Sequence, residues 1–515
     1  MKPMKPLMKS SGMVYFVGAG PGDLGLLTLR GAELLGRAGV VVYDGLVNPA
    51  LLQWAAPGAE IIYGGKHDRS RAVSQEELNA LLVAKARDGK CVVRLKGGDP
   101  YVLGRGAEEV EKLVAAGIAF EVVPGVSSAE AAPNYAGIPL THRDYCSSYT
   151  VVTGHEDPAR DEARLDWARL AQIPGTLVVL MGLKRLRQIT ERLLAHGRSP
   201  ETPVALISWG TTGRQQVLDG TLADIADQAA RSQLAPPVVI VIGEVVKLRA
   251  RLNWFEKRPL FGQRVVVTQA LAQAGELSQL LRARGADVRE VPAMRFTAPA
   301  DPLPLRQALA CLRKYNLMIF SNPASATAFF DRFFEVCQDW RELGNARLAA
   351  YGPKTAAQLQ KYHLRVDAIP TEHLGPPIAD ALTRHGSIQG QRILLLRPEG
   401  ASQEVPRHLR AQGAIVEDIP CYQTVVETAD VTGAAAELAG QGADWITFAG
   451  RLEVKYFHAR FDLAKLVKQF PQIKLAAIGP KTSQQLAELG LQSAAEAATP
   501  TLESLVAAVE QAQNS

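Results

Sequence analysis

The chain is poor in cysteine, in aromatic residues and in long apolar runs, and each shortage excludes a class of protein. Its 515 residues include five cysteines, widely spaced and without a CxxC pair, so neither a disulfide framework nor a thiolate metal site is expected. No apolar run approaches the ~20 residues of a membrane helix. The basic start leads into no apolar segment of the kind found in secretory signals. We therefore expect a cytoplasmic protein with no membrane partner.

Charge of one sign is also scarce. The net charge is +5 without any basic block, so the sequence predicts no nucleic-acid partner. With 47% hydrophobic and 21% charged residues, the composition is that of an ordinary globular protein, and the length allows about three to five domains. Aromatics are 6% whereas there are 44 glycines and 31 prolines, a balance that favours α/β domains with many tight turns.

Short β-rich runs alternate with helical patterns along the chain, as α/β sheets with a parallel component require. Residues 253–263 (NWFEKRPLFGQ) lack a clear period and are interpreted as a linker that packs down through Trp254 and Phe255. The predicted domains are residues 13–255 and residues 262–513.

An internal repeat follows the linker. Residues 262–264 (GQR) recur as 390–392, and residues 281–286 (LRARGA) recur as 409–414 (LRAQGA), both 128 positions later. Residues 348–355 (LAAYGPKT) recur as 475–482 (LAAIGPKT), 127 positions later. Shared words in one register indicate a duplication. The second half is therefore expected to form two α/β lobes with a ligand cleft between them.

Three glycine-containing turns follow predicted strands in the first half, at residues 18–23 (GAGPGD), 96–100 (KGGDP) and 124–129 (PGVSSA). The first does not complete the dinucleotide fingerprint, because Asp23 replaces its last glycine and Pro21 removes an N–H donor. A turn used only for chain reversal is the alternative for any one of them. Together they favour a polar small-molecule cleft at the carboxyl ends of strands.

Five segments carry a specific resemblance: 17–23 (VGAGPGD), 43–47 (YDGLV), 94–100 (RLKGGDP), 104–109 (GRGAEE) and 137–143 (GIPLTHR). They resemble the uroporphyrinogen-III C-methyltransferases of the tetrapyrrole methylase family. The resemblance implies two α/β subdomains, S-adenosylmethionine (SAM) in the cleft between them, and a homodimer formed through this half. Matched residue by residue, it implies these SAM contacts: Pro21, Gly97, Gly98, Asp99, Val102, Ser127, Ser128, Met181 and Gly210.

The same resemblance implies that Asp44 accepts a proton, that Lys66 donates one, and that Arg105 contacts the substrate. A carboxylate beside the reacting pyrrole carbon would suit the loss of a proton after methyl transfer. From the residues alone, Asp44 could equally cap the next helix or turn, and Lys66 could be a solvated surface lysine. Departures from the family at Leu103, Ala107 and Ser127 are mild, and each could alter affinity.

No metal site is predicted, because His67, His142 and His155 share no ligand spacing.

The second half offers strand ends with small or polar residues but no catalytic triad, metal motif or phosphate loop. Residues 320–322 (FSN) place Ser321 at such an end, and each GPKT word predicts a helix start with Lys354 or Lys481 beside free N–H groups. A plain helix start with a surface lysine is the alternative for either copy. Two copies at one cleft favour an acidic ligand.

This half resembles uroporphyrinogen-III synthases in residues 273–277 (QAGEL), 393–397 (ILLLR), 416–422 (VEDIPCY), 475–482 and 500–505 (PTLESL). The resemblance implies two lobes joined by two strands, with the first strand grouped with the C-terminal part. It also implies that Tyr422 assists departure of a hydroxyl group, although Tyr422 alone could be an ordinary strand aromatic. Gln269 and Ala324 depart from many relatives, which puts contacts to substrate carboxylates in doubt.

Together these features predict a bifunctional α/β enzyme, a two-subdomain methylase fold followed by a duplicated, two-lobed synthase fold. Its second half would close hydroxymethylbilane to uroporphyrinogen III, and its first half would methylate that product twice with SAM to precorrin-2, for siroheme or cobalamin synthesis. The alternatives are a methylase of another tetrapyrrole and a second half that only binds ligand or regulates.

Overall fold

The computed structural model describes residues 12–67, 71–72, 74–154, 165–370, 382 and 386–514. Four five-stranded sheets account for most of the described strands, two in each half of the chain. Helices alternate with strands throughout. The predicted α/β class is therefore confirmed.

The first sheet is parallel, with strand order β3-β2-β6-β1-β7. Its strands and the small hairpin β4–β5 that interrupts their order are β1 (Met13–Gly18), β2 (Val40–Tyr43), β3 (Glu60–Tyr63), β4 (Lys66–His67), β5 (Arg71–Ala72), β6 (Cys91–Lys96) and β7 (Ala119–Val123). Residues of β1, β2 and β6 are buried on both faces, which explains their nearly continuous apolar sequence.

The second sheet is mixed, in the order β11-β10-β12-β9-β8. Its strands are β8 (Tyr149–Thr153), β9 (Thr176–Leu180), β10 (Pro203–Ser208), β11 (Gln216–Thr221) and β12 (Val238–Ile242). β8 and β9 are parallel and the other pairs are antiparallel. The α-helices of the first half are Leu29–Leu35, Gln75–Arg87, Gly106–Ala115, Ser128–Tyr135, Trp167–Gln172, Leu186–Ala195, Ile225–Arg231 and Arg249–Leu252, with 3-10 turns at Leu24–Leu26, Pro49–Trp54, Leu183–Arg185 and Glu244–Leu248.

The segment predicted as a linker packs against the first half. Phe255 is 3% exposed and its ring lies 4.9 Å from that of Tyr135. Glu256 accepts hydrogen bonds from Arg249, Gln215 and Asn253, each shorter than 3.0 Å. These contacts fix the direction in which the chain leaves the first half.

The second half contains one parallel sheet in the order β14-β13-β20-β21-β22 and one mixed sheet in the order β15-β19-β18-β16-β17. Their strands are β13 (Arg264–Val267), β14 (Asp287–Glu290), β15 (Met294–Thr297), β16 (Leu317–Phe320), β17 (Arg347–Ala350), β18 (Arg392–Pro398), β19 (Ile415–Val426), β20 (Trp445–Phe448), β21 (Lys474–Ala477) and β22 (Ala495–Glu496). The α-helices are Leu271–Ala283, Leu303–Ala310, Pro323–Val336, Gly352–Lys361, Glu404–Ala411, Ala434–Gln441, Arg451–Phe461, Leu463–Gln469, Pro480–Ala487 and Leu502–Asn514, with 3-10 turns at Leu312–Lys314 and Trp340–Leu343.

Each lobe of the second half is built from both copies of the repeat. β13 and β14 of the first copy pair with β20, β21 and β22 of the second, whereas β18 and β19 of the second copy join β15, β16 and β17 of the first. The predicted grouping of the chain's first strand with its C-terminal part is thus present, and it extends to the first two strands. Because the copies exchange strands, neither lobe corresponds to one continuous repeat.

All five cysteines are free thiols. Within the described residues, no helix is long and apolar enough to cross a membrane.

Candidate functional sites in the two halves

The three glycine-containing turns of the first half meet at the carboxyl edge of the first sheet, after the adjacent strands β6, β1 and β7. A Cβ atom on Gly18 would stand 2.4 Å from the Cα of Gly125, and one on Gly125 would stand 2.3 Å from the carbonyl oxygen of Gly98. No side chain fits at either position, so the glycines are required for this close approach. The three turns therefore lie in contact at the carboxyl edge of the sheet, where the sequence places a cleft.

Asp99 organises this edge of the sheet. Its Oδ1 accepts hydrogen bonds from the backbone N–H groups of Tyr101 and Val102, and its Oδ2 accepts one from Gly125 across 3.0 Å. Ser127 caps the helix Ser128–Tyr135 by accepting from the N–H of Ala129. Asp99 and Ser127, both expected at the SAM site, thus shape the loops whatever else they contact.

The second subdomain adds its own loops to this edge. Gly210, which follows β10, packs so closely on the helix Ser128–Tyr135 that a Cβ would stand 2.5 Å from the Cβ of Ala132. The backbone N–H of Asp23 donates to Thr211 Oγ1 across 3.2 Å, which joins the turn after β1 to the same loop. Met181 directly follows β9 and is 53% exposed.

Backbone strain concentrates in these loops. Seven non-glycine residues of the described chain have positive φ, and five of them follow β6, β9 or β10: Leu103, Arg105, Met181, Trp209 and Thr211. Such conformations persist only where the surroundings enforce them, and they are frequent at ligand sites.

Asp44 follows β2 and lies in a cluster of charged side chains. Its Oδ1 is 2.6 Å from Arg94 Nη2 and its Oδ2 is 3.7 Å from Lys96 Nζ. Both cations also bind Glu109, each across 2.8 Å, so two positive and two negative groups balance. The Asp44 carboxylate is occupied by these ion pairs, and the helix-capping alternative finds no support, because Asn48 caps the turn that follows.

The four side chains of this cluster differ in exposure to solvent. Arg94 and Glu109 are 2% and 1% exposed, whereas the Asp44 side chain is 28% exposed. Burial alone disfavours a charged Glu109, but the hydrogen bonds and charges of Arg94 and Lys96 outweigh it and lower the pKa of Glu109. The cluster therefore presents one partly open carboxylate, that of Asp44, on a buried, charged support.

Two other predicted residues of this half have different surroundings. The backbone of Lys66 lies in β4, but its side chain lies outside the described part of the structure. Arg105 is paired with Glu108 across 2.7 Å, and its side chain is 59% exposed.

The three histidines considered in the sequence analysis are not seen close together in the described part of the structure. His142 lies 3.9 Å from Asp144, His155 falls outside the described residues, and so does the side chain of His67. Within the described residues, no three His, Cys, Asp or Glu side chains form a group that could hold a metal ion.

Tyr422 lies on β19 at the cleft edge of the mixed sheet. Its hydroxyl accepts a hydrogen bond from Asn322 Nδ2 across 3.0 Å, and the same amide lies 3.3 Å from Ser321 Oγ. Burial raises the pKa of Tyr422 to about 12, although the Asn322 hydrogen bond opposes this. The phenol is therefore neutral, and since Asn322 donates to its oxygen, its own proton remains available for another acceptor.

Both GPKT words begin helices, as predicted, at Gly352–Lys361 and Pro480–Ala487. Lys354 and Lys481 are exposed. Gln269, which follows β13, is 8% exposed, and its Oε1 has no hydrogen-bond partner among the residues that the structure describes. An amide oxygen of this kind is available to a donor on a ligand.

The two halves meet beside the loop that carries Gly210. A cavity of about 290 Å³ lies there, with walls that include Pro21 and Arg214 from the first half and Asp287 and Glu437 from the second. The Arg214 guanidinium lies 3.8 Å from the centroid of the Trp209 ring, and its Nε is 4.0 Å from Asp287 Oδ1. The loop is thus supported in part by the second half.

Sequence reasoning missed the residues that support the predicted ones. Arg94 and Lys96 could have been found, because two cations inside a strand of a parallel sheet are unusual and require partners. Glu109 gave a weaker signal, since its neighbour Glu108 has the same charge and lies on the surface. Asn322 was noted as part of a strand end, but its bond to Tyr422 joins residues 100 positions apart and has no local signature.

The fold and the two strand-edge sites define a two-part α/β enzyme. A family model described as Tetrapyrrole (Corrin/Porphyrin) Methylases matches residues 13–226, and one described as Uroporphyrinogen-III synthase HemD matches residues 275–507. The chain is 41% identical to the Uroporphyrinogen-III C-methyltransferase of Bacillus subtilis over 366 residues, which cover 70% of this chain and 74% of that protein.

Two further relatives separate the contributions of the halves. The Porphyrin biosynthesis protein HemD of Ruminiclostridium josui is 35% identical over 493 residues, covering 93% of this chain and 94% of that protein. The S-adenosyl-L-methionine-dependent uroporphyrinogen III methyltransferase of Methanosarcina barkeri is 53% identical over 237 residues, 46% of this chain and 93% of that protein.

The chain belongs to the tetrapyrrole methylase family and, through its second half, to the uroporphyrinogen-III synthase family. The family resemblances drawn from the sequence are confirmed. The chain is an enzyme of tetrapyrrole biosynthesis that joins a uroporphyrinogen-III C-methyltransferase to a uroporphyrinogen-III synthase.

Proposed function

We propose that the two halves catalyse consecutive steps. The second half, residues 262–513, closes hydroxymethylbilane to uroporphyrinogen III. The first half, residues 13–255, methylates that product at carbons 2 and 7 with SAM and gives precorrin-2, for siroheme or cobalamin synthesis. The observation that carries the methylase part is the Asp44 cluster, which sets a partly open carboxylate beside three loops that approach within van der Waals distance.

SAM supplies an electrophilic methyl group, and a porphyrinogen pyrrole carbon is electron-rich enough to attack it. The enzyme's main task is then to align two bound reactants. The backbone of residues 97–99, Pro21, Val102, Ser127, Ser128, Met181 and Gly210 would hold SAM in the cleft between the two sheets. This donor set fits SAM, because the set includes exposed loop residues such as Val102 and Met181 at the carboxyl ends of strands, where α/β proteins bind polar ligands. A SAM-dependent relative of 53% identity supports the same cofactor.

Asp44 would take the proton that leaves the macrocycle after methyl transfer. The ion pairs with Arg94 and Lys96 hold the Asp44 carboxylate in place at the end of β2. Because Glu109 also binds both cations, Asp44 does not have to neutralise them alone. Arg105, released from Glu108, would contact a substrate carboxylate, and Lys66 would return a proton.

The synthase cleft would work mainly by guiding a reactive chain. Loss of hydroxide from hydroxymethylbilane leaves an azafulvene that can close to the wrong isomer unaided. The neutral Tyr422 phenol, oriented by Asn322, can donate its proton to the departing hydroxyl group. Ser321, Lys354 and Lys481 would bind substrate carboxylates at the strand ends. The first half is proposed to form a homodimer.

Product analysis tests this function directly. The purified full-length protein is incubated with hydroxymethylbilane, with and without SAM, and the isomer and methylation state are measured. Type III product without SAM and a dimethylated product with SAM are expected. Type I isomer alone would remove the synthase step and favour a binding or regulatory role for the second half. Methylation of a different tetrapyrrole in preference would overturn the proposed substrate.

A further inference from the structure

Glu453 is a buried carboxyl group beyond the carboxyl end of β20. It lies in the first turn of the helix Arg451–Phe461, directly after β20, and is 4% exposed. Its Oε2 accepts a hydrogen bond from the N–H of Ala449 across 2.8 Å and lies 2.9 Å from Thr268 Oγ1. Thr268 directly follows β13, which pairs with β20. The carboxyl group therefore joins the ends of two strands that belong to different copies of the repeat.

The hydrogen bonds around Thr268 specify a protonation state. Thr268 Oγ1 lies 2.8 Å from the carbonyl oxygen of Thr447 as well as 2.9 Å from Glu453 Oε2. The hydroxyl has one proton, while a carbonyl oxygen and an ionised carboxylate can only accept. An ionised Glu453 would leave one of these two contacts without a proton. A neutral Glu453 fills both, because it donates to Thr268 and Thr268 donates to Thr447.

The surroundings provide no opposite charge for an ionised Glu453. No ion pair within the described residues includes it, and the charged groups on neighbouring elements contact other residues or solvent. Arg264 on β13 lies within 4.0 Å of Asp287 and Glu437, Lys474 on β21 lies over the Trp445 ring, and Lys481 is exposed. On the same helix, His458 faces Asp462. Burial accordingly raises the pKa of Glu453 to about 7, and the hydrogen bond from the N–H of Ala449 opposes this rise.

The other copy of the repeat shows that the helix start itself does not need a carboxyl group. The equivalent position, 128 residues earlier, is Ser325. Its hydroxyl accepts from the N–H of Asn322 and completes the cap of the helix Pro323–Val336. A neutral hydroxyl thus performs the capping role there. The ionisable group is particular to the second copy, where the capped segment includes Ala449 and Gly450.

We propose that Glu453 is a positioning residue of the synthase cleft that acts as a neutral carboxylic acid and holds Ala449 and Gly450 in place. These two residues are the counterparts of Ser321 and Asn322 in the other lobe, which lie beside Tyr422. Ionisation of Glu453 leaves Thr268 with one proton for two acceptors, Glu453 and the carbonyl oxygen of Thr447, and so loosens this wall of the cleft. The inference rests on the proposed synthase activity.

The test compares full-length wild type with Glu453→Gln, which is isosteric and permanently neutral. Glu503→Gln is the matched control, because Glu503 is exposed in the first turn of the helix Leu502–Asn514. The kcat for type III product is measured from pH 6 to pH 8. Since a group with a pKa of about 7 is roughly nine-tenths ionised at pH 8 and one-tenth ionised at pH 6, the ratio of Glu453→Gln to wild type should increase about tenfold over this range. The control ratio should stay near one.

A ratio that stays constant over this pH range, or a variant that is equally impaired at every pH, would overturn the proposal. Thermal unfolding gives a second readout that needs no synthase activity. Because the pKa of Glu453 is raised in the folded state, the folding stability of the protein falls as the pH rises from the unfolded pKa of this group towards about 7. Wild type should therefore lose Tm relative to Glu453→Gln between pH 5 and pH 8. Equal Tm changes would contradict the neutral state, whereas absence of type III product from wild type would instead refute the synthase assignment.

Discussion

The candidate sites of the two halves hold their polar groups in different ways. In the first half, the carboxylates of Asp44 and Glu109 are paired with Arg94 and Lys96. In the second, Tyr422 and Asn322 are joined by a hydrogen bond between two neutral groups. The difference matches the proposed chemistry, because a proton acceptor must be charged beforehand, whereas a guide for a reactive chain needs shape and neutral donors.

The largest effect is expected from replacing Glu109, the buried acid of the charged cluster in the first half. Glu109→Gln leaves Arg94 and Lys96 with less opposite charge in a site from which water is excluded. Breaking such a buried pair costs about 3–5 kcal/mol of stability. We expect the methylase half to unfold at a clearly lower temperature in calorimetry. Glu108→Gln is the control, since its exposed pair with Arg105 should contribute little.

The pH dependence of this variant sharpens the test. The pKa of Glu109 is lowered in the folded state, so its stabilising effect is present above the unfolded value and is lost as the pH falls. The Glu109→Gln variant should therefore not show the part of the acid-induced loss of folding stability that Glu109 causes. A variant that keeps the wild-type acid profile would show that Glu109 is not the group responsible.

The uncharged site of the second half is tested by Tyr422→Phe, which keeps the ring and removes the proton donor. General acid assistance is worth about 10²–10⁴ in rate, and other groups or water replace part of it, so the loss in cyclisation should lie near the lower end. The fraction of type I isomer should rise, because spontaneous closure competes. Methylation of added uroporphyrinogen III should stay unchanged. Unaltered cyclisation would make Tyr422 a packing residue beside Phe296.

The contact between the halves should have the smallest effect. Arg214 is stacked on Trp209 but lies 4.0 Å from Asp287, and its side chain is 32% exposed. A double-mutant cycle with Arg214→Ala and Asp287→Ala should give a coupling energy below about 1 kcal/mol. A larger value, measured by the Tm of both halves, would mean that the synthase half holds the Gly210 loop more firmly than this geometry indicates.

The sequence predicts the fold well where a signal is local. The apolar strands, the glycine turns and both GPKT helix starts lie where their residues predict them. The exchange of strands between repeat copies is different, because β13 resembles β18 in sequence whether or not it joins the same lobe. Tertiary packing decides that choice, and no single segment records it.

The same limit applies to the sites. The resemblance supplies Asp44 and Tyr422, but their partners are brought together by sheet pairing, as Asp44 is with Arg94 on the neighbouring strand. Glu453 gives no sequence signal, because a glutamate in the first turn of a helix is common and usually exposed. Its burial depends on β13, which is nearly 200 residues earlier in the chain.

The most direct test of the separation between the two chemistries is the product mixture formed by Asp44→Asn from hydroxymethylbilane and SAM. Loss of the proton acceptor should reduce methylation by about 10²–10⁴, whereas type III closure should proceed at the wild-type rate. Unmethylated uroporphyrinogen III should therefore accumulate. Wild-type methylation by this variant, or loss of type III closure together with methylation, would contradict the account.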